Sequence, residues 1–177
     1  CVIGRGDSSA AHIGLKNATT KQLSTCVERL RAYMAGEVIQ RGEKESALRW
    51  LKGENVAPVP IDIACTGPKT IQMAVELGDR ISFAVGSAPE RIQWAVDTAN
   101  EHLKKIGRDR STISIGAFVN LVCDEDEQRA RNIGRMIAGM VAHFAGMKDA
   151  PVDHLPPQLK GLAVHMQNQY DMEHHAQ

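Results

Sequence analysis

One pattern runs through the sequence four times: a short apolar run, a turn rich in Gly or small polar residues, then apolar residues at helical spacing. Strands alternating with helices in this way build a parallel sheet with crossover helices, so the expected fold class is α/β. The first unit ends its strand at Gly4-Arg5-Gly6-Asp7-Ser8. Its helix is expected from about Thr19 to Ala35, with Leu23, Cys26, Val27, Leu30 and Met34 on one face and Gly36 ending it. The second unit is the strand Ile61 to Cys65, the turn Thr66-Gly67-Pro68 and a helix from Lys69 to Leu77 stopped by Gly78. In the third, Arg80 to Val85 is followed by Gly86-Ser87 and a long helix to Ile106. Ser87 and Glu90 have capping-box spacing there, Pro89 suits the first turn, and Ile92, Val96, Ala99, Leu103 and Ile106 form a stripe. The fourth is a strand from Thr112 to Cys123, with Ile113, Ile115, Ala117, Val119 and Leu121 on one face, then a helix capped by Asp124 and running to about Phe144.

The connection from Glu37 to Pro60 is polar and is expected to hold a helical turn around Glu45 to Leu51. After Gly146 the pattern is broken by Pro151, Pro156 and Pro157, and a short helix from Pro157 to Tyr170 is expected. The chain therefore reads as one domain over 1–177, with βα units over 1–145 and an irregular or helical segment over 146–177.

The 177 residues are 43% apolar and 24% charged, the usage of a chain that folds around a core. Lys plus Arg and Asp plus Glu both number 21, leaving no basic excess for nucleic acid or an anionic membrane surface. No membrane span or signal pattern is visible, so the cytoplasm is expected. Cys1, Cys26, Cys65 and Cys123 make no CxxC pair and read as reduced, mostly buried thiols. The His-containing end, Asp153-His154 and Glu173-His174-His175, lacks metal-ligand spacing on a helix, so no metal site is expected. His102 and His143 read as structural, with no acidic neighbour evident in the sequence. Trp94 reads as wedged against a neighbouring helix, and Trp50 as a substrate-side or subunit contact.

In parallel α/β architectures ligands sit beyond the carboxyl ends of the strands, where helix N-termini present unpaired N–H groups and partial positive charge. Thr66 and Gly67 follow the second strand, and Gly86 and Ser87 the third; each loop pairs a Gly with a hydroxyl, and together they suit one phosphate. The same residues also read as a plain turn and a helix cap, and spacing leaves both readings standing. At the first strand end, Arg5 offers a fixed cation and Asp7 a carboxylate able to exchange a proton; the competing reading is a surface turn with a local ion pair.

The stretches Gly4 to Ser8, Pro60 to Lys69 and Ala74 to Asp79, continuing through Gly107-Arg108-Asp109 to Asp124-Glu125-Asp126-Glu127, resemble the bacterial luciferase-like superfamily. The deazaflavin-dependent branch typified by methylenetetrahydromethanopterin reductase is the nearest in look. The resemblance implies a (β/α)8 TIM barrel of which this chain covers about strands four to seven. It implies coenzyme F420, a deazaflavin, or FMN as cofactor, its phosphate held at Thr66, Gly67, Gly86 and Ser87 with Arg5 as a further contact. Asp7 falls where some members carry a Glu proton donor, one bond longer. The implied activity is hydride transfer between cofactor and a small organic substrate, or oxygen-using monooxygenation, in a protein that is commonly a homodimer. Its alternatives are a non-catalytic flavin-binding relative, an inactive fragment, or a different phosphate-binding barrel.

Overall fold

Ile63, Ile81 and Phe83 of two neighbouring strands, with Ile61 directly before the first of them, are fully buried, and the direction in which that row points organises the molecule. The computed structural model describes residues 1–6, 10, 13–51, 54 and 57–135, together with 157, 160, 161, 164, 165 and 168. Four strands, β1 (Val2–Ile3), β4 (Asp62–Cys65), β5 (Arg80–Phe83) and β6 (Ser114–Ala117), form one sheet in the order β1-β4-β5-β6. Every pairing in it is parallel, with Ile63 opposite Ile81 and Ile81 opposite Ile115. A separate hairpin pairs β2 (Ile39–Arg41) with β3 (Lys44–Ser46).

Helices α1 (Thr20–Met34), α2 (Pro68–Leu77) and α3 (Pro89–Ile106) cover one face of the sheet, α1 against α2 and α2 against α3. Leu23 and Val27 of α1, Ile71, Ala74 and Val75 of α2, and Ala95, Ala99 and Leu103 of α3 close over the isoleucines and Phe83 to make the core. This is the α/β class that the alternation predicts. Thr19 caps α1 in a full capping box: its hydroxyl accepts from the Gln22 N–H at 3.2 Å, and the Gln22 side-chain Oε1 accepts from the Thr19 N–H at 2.8 Å.

Several local expectations are corrected. The connection after α1 forms the β2–β3 hairpin and a 3-10 turn at Arg49–Leu51 rather than a helical turn from Glu45. Gly42 at φ 65° makes that tight reversal available, because a side chain there would be strained. In α3 the cap falls on Ala88, which makes no side-chain cap bond; Pro89 occupies the first helical position, leaving Ser87 one residue too early for a box. The buried seam of α3 is Arg91, Ala95, Ala99, His102 and Leu103, rotated from the predicted stripe, and Ile106 is exposed. Small Ala95 and Ala99, both fully buried, form the middle of that seam.

The fourth strand stops at Ala117, and Val119 and Leu121 are exposed. Residues 127–135 are helical, and Asp126 rather than Asp124 caps them, its carboxylate accepting from the Gln128 and Arg129 N–H groups. Asp124 shapes the preceding turn and pairs with Arg129 at 2.6 Å. Of the cysteines only Cys65 is buried; Cys1, Cys26 and Cys123 are exposed, all four free. Residues 157, 160, 161, 164, 165 and 168 are helical, in line with the expected helix there. Met136, Met140, His143, His154, His174 and His175 lie outside the described residues.

Asp79 ties the amino ends of the strands together. Its carboxylate accepts from the Ile61 N–H at 2.8 Å and from Arg31 of α1 at 2.9 Å, while its own backbone bonds Ile61 and Ser114. Partial burial pushes its pKa up, but the Ile61 N–H, the Arg31 guanidinium and the Arg108 charge outweigh this and hold it below the usual 3.8. A depressed carboxylate adds stability that is complete above its unfolded pKa and is lost as pH falls through the folded one. The Arg31 pair is substantially exposed and screened, so Asp79→Asn is expected to cost only about 1 kcal/mol at neutral pH. Urea melts should show that gap closing as pH falls below the usual 3.8 and through the folded-state value; a gap that persists in acid would assign the loss to packing.

Candidate functional site

Because all four sheet strands are parallel, their carboxyl ends lie along one edge, and the order β1-β4-β5-β6 decides which loops are neighbours there. Arg5 follows β1, Thr66 and Gly67 follow β4, and Gly86 and Ser87 follow β5. Three adjacent strand ends therefore carry all five predicted cofactor contacts, with the Thr66-Gly67 loop in the middle. The strands stay bonded to this edge: the Ala84 N–H donates to the Cys65 carbonyl at 2.9 Å and the Phe118 N–H to that of Phe83 at 2.8 Å. Asp7 and His12 lie outside the described residues.

Of the helices that begin at this edge, α1 is capped by Thr19, whereas α2 and α3 have no side-chain cap. Gly67 is the N-cap of α2 and Ala88 that of α3; Pro68 and Pro89 carry no N–H and the Thr70 and Arg91 N–H groups already donate to the Gly67 and Ala88 carbonyls, which leaves one backbone donor in each first turn, Lys69 N–H and Glu90 N–H, for an incoming anion. A Cβ added at Gly67 meets nothing within 4 Å, so the α2 terminus opens onto free space. Gly86 adopts φ 84°, which Gly alone takes without strain. The half-buried Thr66 and the exposed Ser87 flank these turns with hydroxyls.

The two termini differ in charge. The first turn of α3 holds Glu90, which repels an anion, whereas that of α2 has no acidic residue and carries exposed Lys69. A lysine at a helix N-terminus opposes the helix dipole and costs stability unless an anion joins it. Lys69 is thus a further candidate that the motif reading passed over, and its signal in the sequence is a cation directly after Thr-Gly-Pro. Arg5 is exposed and anchored: its Nε donates to the Ala18 carbonyl at 2.6 Å and the Ala18 N–H returns a bond at 3.0 Å, fixing the start of the guanidinium at the edge.

Cys65, the last residue of β4, faces the helix layer. Burial, with the Asp62 charge adding to it, pushes its thiol up to about 12, so it stays protonated and supplies no nucleophile. His102 gains an acidic partner that the sequence did not reveal, its Nε2 lying 2.8 Å from Glu76 Oε1 on α2. That pair joins α2 to α3 away from the strand edge. A groove along α3, lined by Glu90, Trp94, Asp97 and Glu101 among others, also lies on the helix flank. Trp94 is partly buried there beneath the Arg91 guanidinium, 5.3 Å from its ring centre. The hairpin and Trp50, which is 73% exposed, sit on the connection from α1 into the amino end of β4, opposite the candidate site, so Trp50 is not a substrate-side residue. Among the described residues no cluster of His, Cys, Asp and Glu could hold a metal, and no helix is long and apolar enough to cross a membrane.

The family model for luciferase-like monooxygenases matches residues 1–176. This chain belongs to that family. It is 28% identical over 142 residues to the 5,10-methylenetetrahydromethanopterin reductase of Archaeoglobus fulgidus, a match covering 78% of this chain and 42% of the relative. With the enzyme of that name from Methanolobus tindarius it shares 25% over 138 residues, covering 74% of this chain and 39% of the other. Among solved structures, an F420-dependent secondary alcohol dehydrogenase in complex with an F420-acetone adduct aligns with TM-score 0.67 at 17% identity, over 97% of this chain and 52% of that one. The coenzyme F420 dependent tetrahydromethanopterin reductase from Methanopyrus kandleri aligns with TM-score 0.63 at 16% identity, over 93% and 56%. The luciferase-like fold is thus shared, and the chain spans about half or less of the length of these family relatives.

Proposed function

We propose that this chain forms the cofactor-phosphate side of a deazaflavin-dependent oxidoreductase. The observation that carries the reading is the pair of helix N-termini without side-chain caps, flanked by Thr66, Gly67, Gly86 and Ser87 on adjacent strand ends. Those residues fit a phosphate-bearing cofactor: the α2 terminus is open, its first-turn charge is positive, and two neighbouring loops each carry a hydroxyl beside a helix start. Coenzyme F420 is favoured because both structural relatives named above are F420-dependent; FMN presents the same phosphate chemistry. When bound, the cofactor accepts or donates a hydride, and the substrate is a small organic molecule.

The protein's own residues bind and orient. Lys69, through its ammonium and its backbone N–H, neutralises the phosphate, Thr66 and Ser87 donate to its oxygens, and Gly67 lets it approach the backbone. Arg5, anchored on Ala18, presents its remaining guanidinium N–H donors beside the Thr66 loop to a second anionic group. Asp7 would exchange the proton that accompanies hydride transfer. A homodimer remains the expected assembly.

Titration of the full-length polypeptide with coenzyme F420 and with FMN tests this, and micromolar binding of either is expected; no measurable binding of both would overturn it. Single-turnover reduction separates the enzyme from a non-catalytic binder. Asp7→Asn is expected to slow that step by about 100-fold while leaving affinity unchanged, and unchanged chemistry would remove Asp7 from the mechanism.

A further inference from the structure

The face of the sheet turned away from the helices carries one charged and polar row and one row of small residues, where a barrel lining is usually branched and apolar. Asp62, Arg80 and Ser114 stand opposite one another in register, and Ala64, Ser82 and Gly116 form the next row. Alternate residues Ile63, Ile81 and Ile115 belong to the opposite, helix-covered side. Arg80 Nε lies 3.3 Å from Asp62 Oδ2, and that oxygen also accepts from the Ser82 hydroxyl at 2.7 Å. The guanidinium leans over Gly116, where an added Cβ would come within 2.8 Å of Arg80 Nη2. The small residue in the second row is therefore the space that the Arg80 head occupies.

This cluster is incomplete in two ways. Asp62 Oδ1 is buried without a hydrogen-bond partner, and the Arg80 side chain is 55% exposed although it stands on the inner face of a sheet. A buried acceptor left unpaired is costly, and covering Arg80 with apolar groups would strand a guanidinium whose several donors a single carboxylate oxygen cannot satisfy. The chain spans 42% of one curated relative and 39% of another, so length remains for further strands to cover this face.

We propose that this inner face is an interaction surface for strands lying outside these 177 residues, and that those strands are polar at this level. They bring at least one hydrogen-bond acceptor to the Arg80 guanidinium and a donor, directly or through one water, to Asp62 Oδ1. The two parts of the barrel are thus matched by a buried charge cluster at the amino end of the strands, and a merely hydrophobic lining does not substitute for it. The cluster stands apart from the cofactor contacts, so failure of this proposal leaves the proposed function untouched.

The test compares urea denaturation of the full-length polypeptide with Arg80→Met, Asp62→Leu and the double variant. With a polar facing surface, the double variant keeps a folded-to-unfolded ratio at least about tenfold below the parent, because the facing acceptor has lost its donor. A double variant as stable as the parent, or more so, would overturn the proposal. Should the apolar variants fail to fold, Arg80→Lys supplies the reading: it keeps charge but loses the fork, and a severalfold fall in the same ratio is expected, whereas no change counts against a matched acceptor. A second copy of the chain as the occupant would make Arg80→Glu dissociate the oligomer in sedimentation; an unchanged oligomeric state is expected.

Discussion

Thr66→Val combined with Lys69→Glu should weaken binding of coenzyme F420 by about 100-fold, with little change in folding stability. The estimate follows from what the α2 terminus holds. Thr66 offers one hydroxyl donor, and losing a hydrogen bond to a charged phosphate costs about 1.5 kcal/mol or more. Lys69→Glu replaces attraction by repulsion at the same terminus for a similar cost at an exposed position. Together these reach roughly 3 kcal/mol, or about two orders of magnitude. Stability is spared because Lys69 is exposed and a glutamate there suits the helix dipole, so the variant should melt at or slightly above the parent temperature. Fluorescence titration beside thermal melts measures both. Unaltered affinity would move the phosphate away from α2, and the Gly86-Ser87 turn would be examined next with Ser87→Ala.

A pair of glycines gives the second large contrast. Gly78 follows α2 and is buried; a Cβ added there would lie 2.8 Å from the carbonyl oxygens of both Ala74 and Arg80. Both are backbone atoms within packed elements, so neither can retreat without disturbing the helix end or β5. Gly78→Ala is therefore expected to cost about 3 kcal/mol, the upper end of ordinary overpacking. Gly67→Ala meets open space at an extended backbone and should stay within about 0.5 kcal/mol of the parent. Its effect should appear in cofactor affinity instead, because the methyl group stands where the phosphate would approach. Urea midpoints and titrations of the two variants would separate a structural glycine from a binding one, and equal destabilisation would contradict that division.

The Ala74-to-Asp79 stretch that contributes to the family likeness thus works at the amino end of the sheet, where Gly78 packs and Asp79 clamps. The Thr66-Gly67-Pro68 stretch lies at the other end of the same unit, at the candidate site. Sequence likeness alone weighs both equally. Placement separates them, because in a parallel sheet chemistry collects at the carboxyl ends and the amino ends serve stability.

What the chain determines by itself is the alternation and its period. Apolar residues two apart at Ile61, Ile63 and Cys65, and three to four apart at Leu23, Val27 and Leu30, specify strand and helix because burying them is the main gain either element can make. The sequence likewise marks Gly67, Gly86 and the hydroxyls beside them, since turns between such elements fall where Gly and Pro fall. Tertiary structure decides what depends on neighbours distant along the chain. Leu121 fits a strand pattern but is 80% exposed, because β6 loses its pairing with β5 after Ala117. His102 finds Glu76 twenty-six residues away. Arg80 and Asp62, separated by eighteen positions, meet only because parallel register sets them side by side. Local periodicity reports one residue's preference for burial; which charge faces which is fixed only when the strands pair.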